Sequence, residues 1–223
     1  MAPESNLTPD LTLDEMRLVL APAIADAAVF DGWSAAAVAA AAQQHGVDPK
    51  VAALAFSGGA MAMIAAWIGS VDAAMEAAFA GNALANAPIR ERIRRLVTFR
   101  LDALTGREEA LRRALAIMAM PQNAAAAMRL GWASADAMWH LAGDTASDFN
   151  HYSKRTILAG IYAATLAVFA NDESPDKAET HGFLDRRIEG VMRFEKAKAQ
   201  LLLPNEQRFS LARFLGRLRY PAV

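Results

Sequence analysis

Apolar and polar positions along the chain recur with helical spacing, and no segment alternates apolar and polar over a useful length. The pattern predicts an all-α protein of about nine helices plus a C-terminal amphipathic helix. A first helix is expected from Thr12 to about Phe30. Ser34 then caps an alanine-rich helix ending at His45-Gly46, and Asp48-Pro49 opens another that stops at Gly58-Gly59. Two further helices are expected before Asn86. After Pro88, the residues Ile89, Ile93, Leu96, Val97, Leu101 and Leu104 share one face of a basic helix, with Arg90, Arg94 and Arg95 largely away from it. Further helices are predicted over Arg107–Met118, Asn123–Leu141, Asn150–Ala170 and Asp176–Ala199.

Residues 34–57 have the layout of a helix-turn-helix, with the short turn His45-Gly46-Val47 between two helices. Followed by a mostly helical C-terminal part, this resembles the tetracycline-repressor family, so a repressor-like (TetR-type) helical fold is expected. The second helix of the pair, within DPKVAALAFSGG, offers one Lys and one Asp but no Arg, Asn, Gln or Thr to base edges or phosphates. A helix pair kept for packing fits these residues better than a DNA-reading one.

Charge sharpens that reading. The chain of 223 residues has 23 Lys+Arg and 24 Asp+Glu, a net charge of -1. Residues 1–89 hold two basic residues, Arg17 and Lys50, against nine acidic ones, and the remainder holds 21 against 15, so the two parts carry -7 and +6. The acidic part coincides with the helix-turn-helix and repels phosphate, so no nucleic-acid partner is expected. Three segments follow: a degenerate helix-turn-helix part over 1–89, a helical part over 90–203, and a tail over 204–223.

The composition closes off several chemistries. With no Cys there are no disulfides, thiolate nucleophiles or Cys-ligated metals. None of the four His residues follows a Glu by three positions, and Gly58-Gly59 lacks the Lys-Ser/Thr of a phosphate loop. Asp136 and His140, four apart on a helix, suggest a structural polar pair. No catalytic residue, metal site or cofactor is therefore assigned. The uncharged run from Val51 to Val71 is long enough for a membrane span, but it is mostly Ala and interrupted by Ser57, Gly58 and Gly59, so a buried pair of short helices is expected there. The start, MAPESNLTPDLTLDEM, resembles no export or transit signal, and a cytoplasmic bacterial location is expected.

Three further patterns carry candidate sites. In AGDTASDFNHYSKRTIL, residues 142–158, Asp148 stands at the start of a helix, and His151, Tyr152 and Arg155 follow on or near one face. By themselves these residues also fit a capped helix with exposed polar groups. Met118, Met120, Met128, Trp132, Met138, Trp139, Tyr162, Leu166 and Phe169 suit either a plain core or an adaptable apolar cavity. In the tail, Leu211, Phe214, Leu215 and Leu218 recur at helical spacing among Arg208, Arg213, Arg217 and Arg219, opposed only by Glu206. That is the pattern of a helix lying in a membrane interface, with docking onto its own domain as the alternative.

The run MWHLAGDTASDFNHYSKRTIL, the downstream NDESPDKAETHGFLDRRIEGV and the upstream RLVTFRLDAL together resemble the Coq-nine family of ubiquinone biosynthesis. The resemblance extends from the helix-turn-helix region to the tail. It implies a repressor-like fold without DNA binding and a non-enzymatic role: binding an isoprenoid quinone intermediate, or a phospholipid, and docking on the membrane-associated demethoxyubiquinone hydroxylase. It places the partner-facing patch at Asp148, Asn150, His151, Tyr152 and Arg155. Eukaryotic members often carry Trp where this chain has His151. The resemblance favours a lipid cavity lined by Met118, Met138, Trp139, Tyr162, Leu166 and Phe169; the repressor-like fold suggests a homodimer, and the tail suggests a peripheral position on the inner membrane. The runner-up is a repressor-like regulator that senses a hydrophobic ligand.

Overall fold

The computed structural model describes residues 11–81, 83–145 and 149–201, without the side chains of 149, 150 and 195–201. The described residues form nine α-helices and two short 3-10 turns, with no strand among them. The helices are α1 (Leu13–Asp31), α2 (Ala35–His45), α3 (Pro49–Ala55), α4 (Ala60–Ala78), α5 (Ile89–Asp102), α6 (Glu108–Met118), α7 (Ala124–Leu141), α8 (Phe149–Phe169) and α9 (Ala178–Leu201). The chain divides into two compact units, residues 1–185 and 186–223.

The caps fall where side-chain chemistry places them. Thr12 and Glu15 form a reciprocal capping box at the start of α1. Ser34 caps α2, and Asp48 caps α3 with Pro49 in its first turn. Gly46 ends α2 in the left-handed region at φ 66°, where a side chain is strained, and so permits the tight turn into α3.

One expectation is corrected between Gly59 and Asn86. A single 19-residue helix, α4, occupies this stretch, followed by turns, where two helices were expected. Gly69 does not break it. Its bare Cα lets Leu18 of α1 approach, since a Cβ there meets Leu18 Cδ2 at 3.3 Å. The uncharged run Val51–Val71 is therefore a short helix, a turn and the first part of a long one. Among the described residues, α4 is the one helix long and apolar enough to cross a membrane by length and composition. It packs against α1, α5, α6 and α7, burying Met63, Ile64, Trp67, Val71 and Met75. Like a core helix, it carries charged Asp72 and Glu76.

Arg92 staples the loop before α5 to the end of α7. Its Nε donates to the Ala87 carbonyl at 2.7 Å, Nη2 to Ala85 at 2.7 Å and Nη1 to Ala142 at 2.8 Å. Gly143, at φ 86°, leaves room for this guanidinium, because a Cβ there meets Arg92 Nη1 at 3.1 Å. Trp33, in the α1–α2 turn, donates from Nε1 to the Ala110 carbonyl of α6 at 3.0 Å and packs 5.3 Å from the Trp67 ring of α4. These links join α5 to the end of α7, and α6 to α4.

The start of α9 lies two residues later than expected. Buried Asp172 accepts from Ser174 N and Oγ at 2.8 and 2.5 Å, and from Thr180 N and Oγ1 at 2.8 and 2.6 Å. Burial opposes ionisation of this carboxyl, but the bonds from Ser174 and Thr180 together hold it well below the usual carboxylate range. The 3-10 turn Pro175–Lys177 spans the gap between these partners, with Asp176 and Lys177 at positive φ.

Candidate functional site: an apolar cavity with a polar floor

Helices α4 to α8 surround a cavity of about 590 Å³. Ile64, Trp67, Ile68 and Val71 come from α4, and Leu111, Ala114, Leu115 and Met118 from α6. On the opposite walls stand Met128, Gly131, Trp132 and Ser134 of α7, and Thr156, Ala159, Tyr162, Ala163 and Leu166 of α8. Arg100 of α5 and the following Leu104 complete the lining. The walls are almost wholly hydrocarbon, and the volume lies in the range that encloses a small organic ligand. Exposure runs from 76% at Met128 to 6% at Tyr162 and 2% at Arg100, so the lining extends from the surface into the core.

Of the residues expected to line a cavity, Met118, Tyr162 and Leu166 do so, joined by Met128 and Trp132. Met138, Trp139 and Phe169 do not. Met138 and Phe169 point into the close-packed core, at 0% and 2% exposure. Trp139 faces the α7–α8 corner, where Nε1 donates to the Lys154 carbonyl at 3.1 Å and Lys154 Nζ lies 5.4 Å from the ring centroid. Met and aromatic composition marks all of these residues alike, whereas the turn of the helix decides which face the hollow. The wall also takes four residues from α4, in the segment read from sequence as part of the helix-turn-helix region.

A buried polar cluster lies at the inner end. Arg100 Nη1 donates to Asp72 Oδ1 of α4, and Nη2 donates to Ser134 Oγ of α7 at 3.0 Å. Ser134 Oγ donates in turn to Asp72 Oδ2 at 3.2 Å. Arg100 Cζ stands 4.9 Å from the centroid of the Tyr162 ring, and Arg100 Nε is buried with no hydrogen-bond acceptor. One ion pair thus ties α4, α5 and α7 together under the ring of α8. The sequence held a signal for it, because Arg100 falls on the same helical stripe as Ile93, Leu96 and Leu104.

The expected partner patch divides. Tyr152 is 60% exposed, with its ring 6.0 Å from Trp132 and 5.1 Å from His151. Arg155 does not share that exposed face. At 3% exposure it donates from Nε to Asp136, and from Nη1 to Asp144 Oδ2 at 3.1 Å and the His151 carbonyl at 3.2 Å. A guanidinium this far from water is retained only with such partners. Asp144 also accepts from Lys154 Nζ at 2.7 Å. Its burial is outweighed by the bonds from Lys154 and Arg155, which hold its carboxyl below the ordinary range. Asp136 therefore pairs with Arg155 and not, as its spacing suggested, with His140. Asp148 lies outside the described residues, as does the side chain of Asn150, and so do Arg208, Leu211, Arg213, Phe214, Leu215, Arg217 and Leu218 of the tail. Among the described residues no three His, Asp or Glu side chains gather to hold a metal.

The helix-turn-helix pair exposes Lys50, Val51, Ala53 and Leu54 along α3. Arg17, the other basic residue of the acidic part, is spent on the Ala55 carbonyl at 2.6 Å and on Asp14.

Comparison with known proteins places this arrangement. A solved structure of the TetR transcriptional regulator from Nitrosomonas europaea ATCC 19718 superposes with a TM-score of 0.63 at 20% identity, covering 79% of this chain and 98% of that one. The fold is thus TetR-like. The rat protein named "Ubiquinone biosynthesis protein COQ9, mitochondrial" is 35% identical over 168 residues, which is 72% of this chain and 54% of the rat protein. The human protein of the same name is 40% identical over 100 residues, 45% of this chain and 31% of its own length. The Drosophila melanogaster protein is 26% identical over 174 residues, covering 76% and 53%. The chain spans about half the length of the rat and fly proteins. Residues 124–195 match the COQ9 family model, and they hold α7, α8 and most of α9. Two walls of the cavity, α7 and α8, thus come from the part of the chain that matches the COQ9 family.

Proposed function

We propose that this protein is a non-enzymatic accessory factor of ubiquinone biosynthesis. It takes an isoprenoid quinone intermediate into the α4–α8 cavity and presents it to a membrane-associated hydroxylase that acts on demethoxyubiquinone. The observation that carries the reading is the cavity itself: about 590 Å³, walled by hydrocarbon, with the exposed Met128 among its lining residues. Apolar area of this kind is costly to leave facing water, and a hydrophobic ligand relieves that cost. The names of the rat and human relatives support the pathway.

Exposed Tyr152, beside His151, is the anchor for the hydroxylase, since aromatic side chains at the edge of an apolar opening make effective contacts. The basic, amphipathic tail brings the protein to the cytoplasmic face of the inner membrane in a bacterium, where so apolar a ligand resides. A homodimer is the working unit. DNA is not a partner, because the exposed face of α3 offers only Lys50 as a cation to phosphates.

Solvent extraction of the purified full-length protein followed by mass spectrometry tests this function. An isoprenoid quinone or quinone precursor in the extract is expected. An extract free of any lipid contradicts it.

A further inference from the structure

The cavity of a simple hydrocarbon carrier needs no guanidinium. Arg100 lines this one, and three features make its presence informative. Its Nη1 and Nη2 are committed to Asp72 and Ser134, while Nε is buried without an acceptor. A buried donor left unmade is costly, and native proteins rarely keep one without a use. Its charge is already matched by Asp72, whose side chain is 18% exposed. Finally, the Tyr162 ring stacked against it carries a hydroxyl with no hydrogen bond to any described residue.

We propose that Arg100 and Tyr162 form a head-group subsite that receives a neutral ring oxygen of an oxygenated aromatic ligand, so that the ring enters first and the hydrocarbon tail lies toward Met128. This deepens the lipid-binding reading above and rests on it. The charge balance selects the ligand class. A phosphate or carboxylate brought beside the Arg100–Asp72 pair adds an uncompensated negative charge to a buried site, which is unfavourable. A carbonyl or methoxy oxygen accepts from the guanidinium without that penalty. The Tyr162 hydroxyl serves either a donor or an acceptor on the ring, which suits a phenolic intermediate as well as a quinone. Arg100, Ser134 and Tyr162 are the buried polar groups of the lining and Met128 is 76% exposed, so a ligand with one polar end and one apolar end is oriented with its ring toward the first and its tail toward the second.

The test uses full-length protein loaded with diphenylhexatriene, a hydrocarbon fluorophore, and two competitors with the same ten-carbon tail. One carries a dimethoxy-methyl-benzoquinone ring and the other a plain benzene ring. In the wild type the quinone should displace the fluorophore at a concentration at least about tenfold lower than decylbenzene, the increment of a hydrogen bond to a charged donor. Arg100→Lys should erase about that much of the quinone's preference over decylbenzene, a ratio read within each protein, and Tyr162→Phe should erase a smaller part. Equal displacement by the two competitors in the wild type overturns the subsite, as does an Arg100→Lys protein that binds the quinone like the wild type. Both results leave the lipid cavity standing. If Arg100→Lys loses the fluorophore as well, the wild-type comparison of the two competitors decides. A wild-type protein that takes up neither fluorophore nor quinone refutes the lipid-binding reading, and this inference with it.

Discussion

Arg100 of α5 and Asp72 of α4 form an ion pair at the inner end of the cavity, with the arginine 2% exposed. The pair sits under the Tyr162 ring and shares Ser134 between its two members. Arg100→Met strands the Asp72 carboxylate and should cost about 3–5 kcal/mol. Asp72→Asn with Arg100→Met should cost clearly less than the sum of the single changes, because neither charge is left alone. Urea denaturation of the four proteins measures the coupling.

Arg155 and Tyr152, three residues apart on α8, should separate in their effects. Arg155→Ala removes the partner of Asp144 and Asp136 and should destabilise the fold by about 3 kcal/mol. Tyr152→Ala gives up an exposed ring and should cost no more than about 1 kcal/mol. Capture of the purified hydroxylase should weaken at least about tenfold with Tyr152→Ala while the melting temperature holds. Undiminished capture removes Tyr152 from the partner surface.

Asp172 predicts an acid-sensitive start to α9. Its carboxyl is held below its unfolded value near pH 4, so its stabilisation is complete above that pH. As the pH falls from about 4 toward the lower folded-state value, the carboxylate is protonated and the contribution is lost. Asp172→Ala should cost about 1–3 kcal/mol at neutral pH by leaving the Ser174 and Thr180 donors unpaired. The variant's stability should also fall less steeply below pH 4 than the wild type's, as followed by circular dichroism.

Removal of residues 204–223 should abolish co-sedimentation with vesicles containing anionic phospholipid and leave the melting temperature unchanged. Persistent sedimentation of the truncated chain assigns membrane contact to another surface.

Much of the helical order was legible because helix ends are local chemistry. Ser34, Asp48-Pro49 and Gly46 mark their boundaries in the sequence and in the structure alike. The span of α4 was not legible, since the contact of Leu18 with Gly69 joins residues far apart in the chain and has no local signature. The candidate site was legible in composition but not in detail. Met118 and Met138 look alike in a sequence, and only the arrangement of five helices turns one to the cavity and the other to the core. Arg155 reads as surface charge, yet it lies on the same stripe as buried Leu158, Tyr162, Thr165 and Phe169. Arg100 likewise stands in register with Ile93, Leu96 and Leu104. A long cation in phase with an apolar stripe is the signal of a buried ion pair, although its partner comes from elsewhere in the chain and has no local signature.

Ala159 lines the cavity from α8, and a tryptophan there should project into the space that a ligand occupies. Native mass spectrometry of the wild type and Ala159→Trp, purified side by side, tests the ligand-carrying cavity most directly. The wild type should carry one isoprenoid quinone or precursor per chain, and the variant, equally folded, should carry none. A wild type without bound lipid, or a folded variant with the same load, contradicts the account.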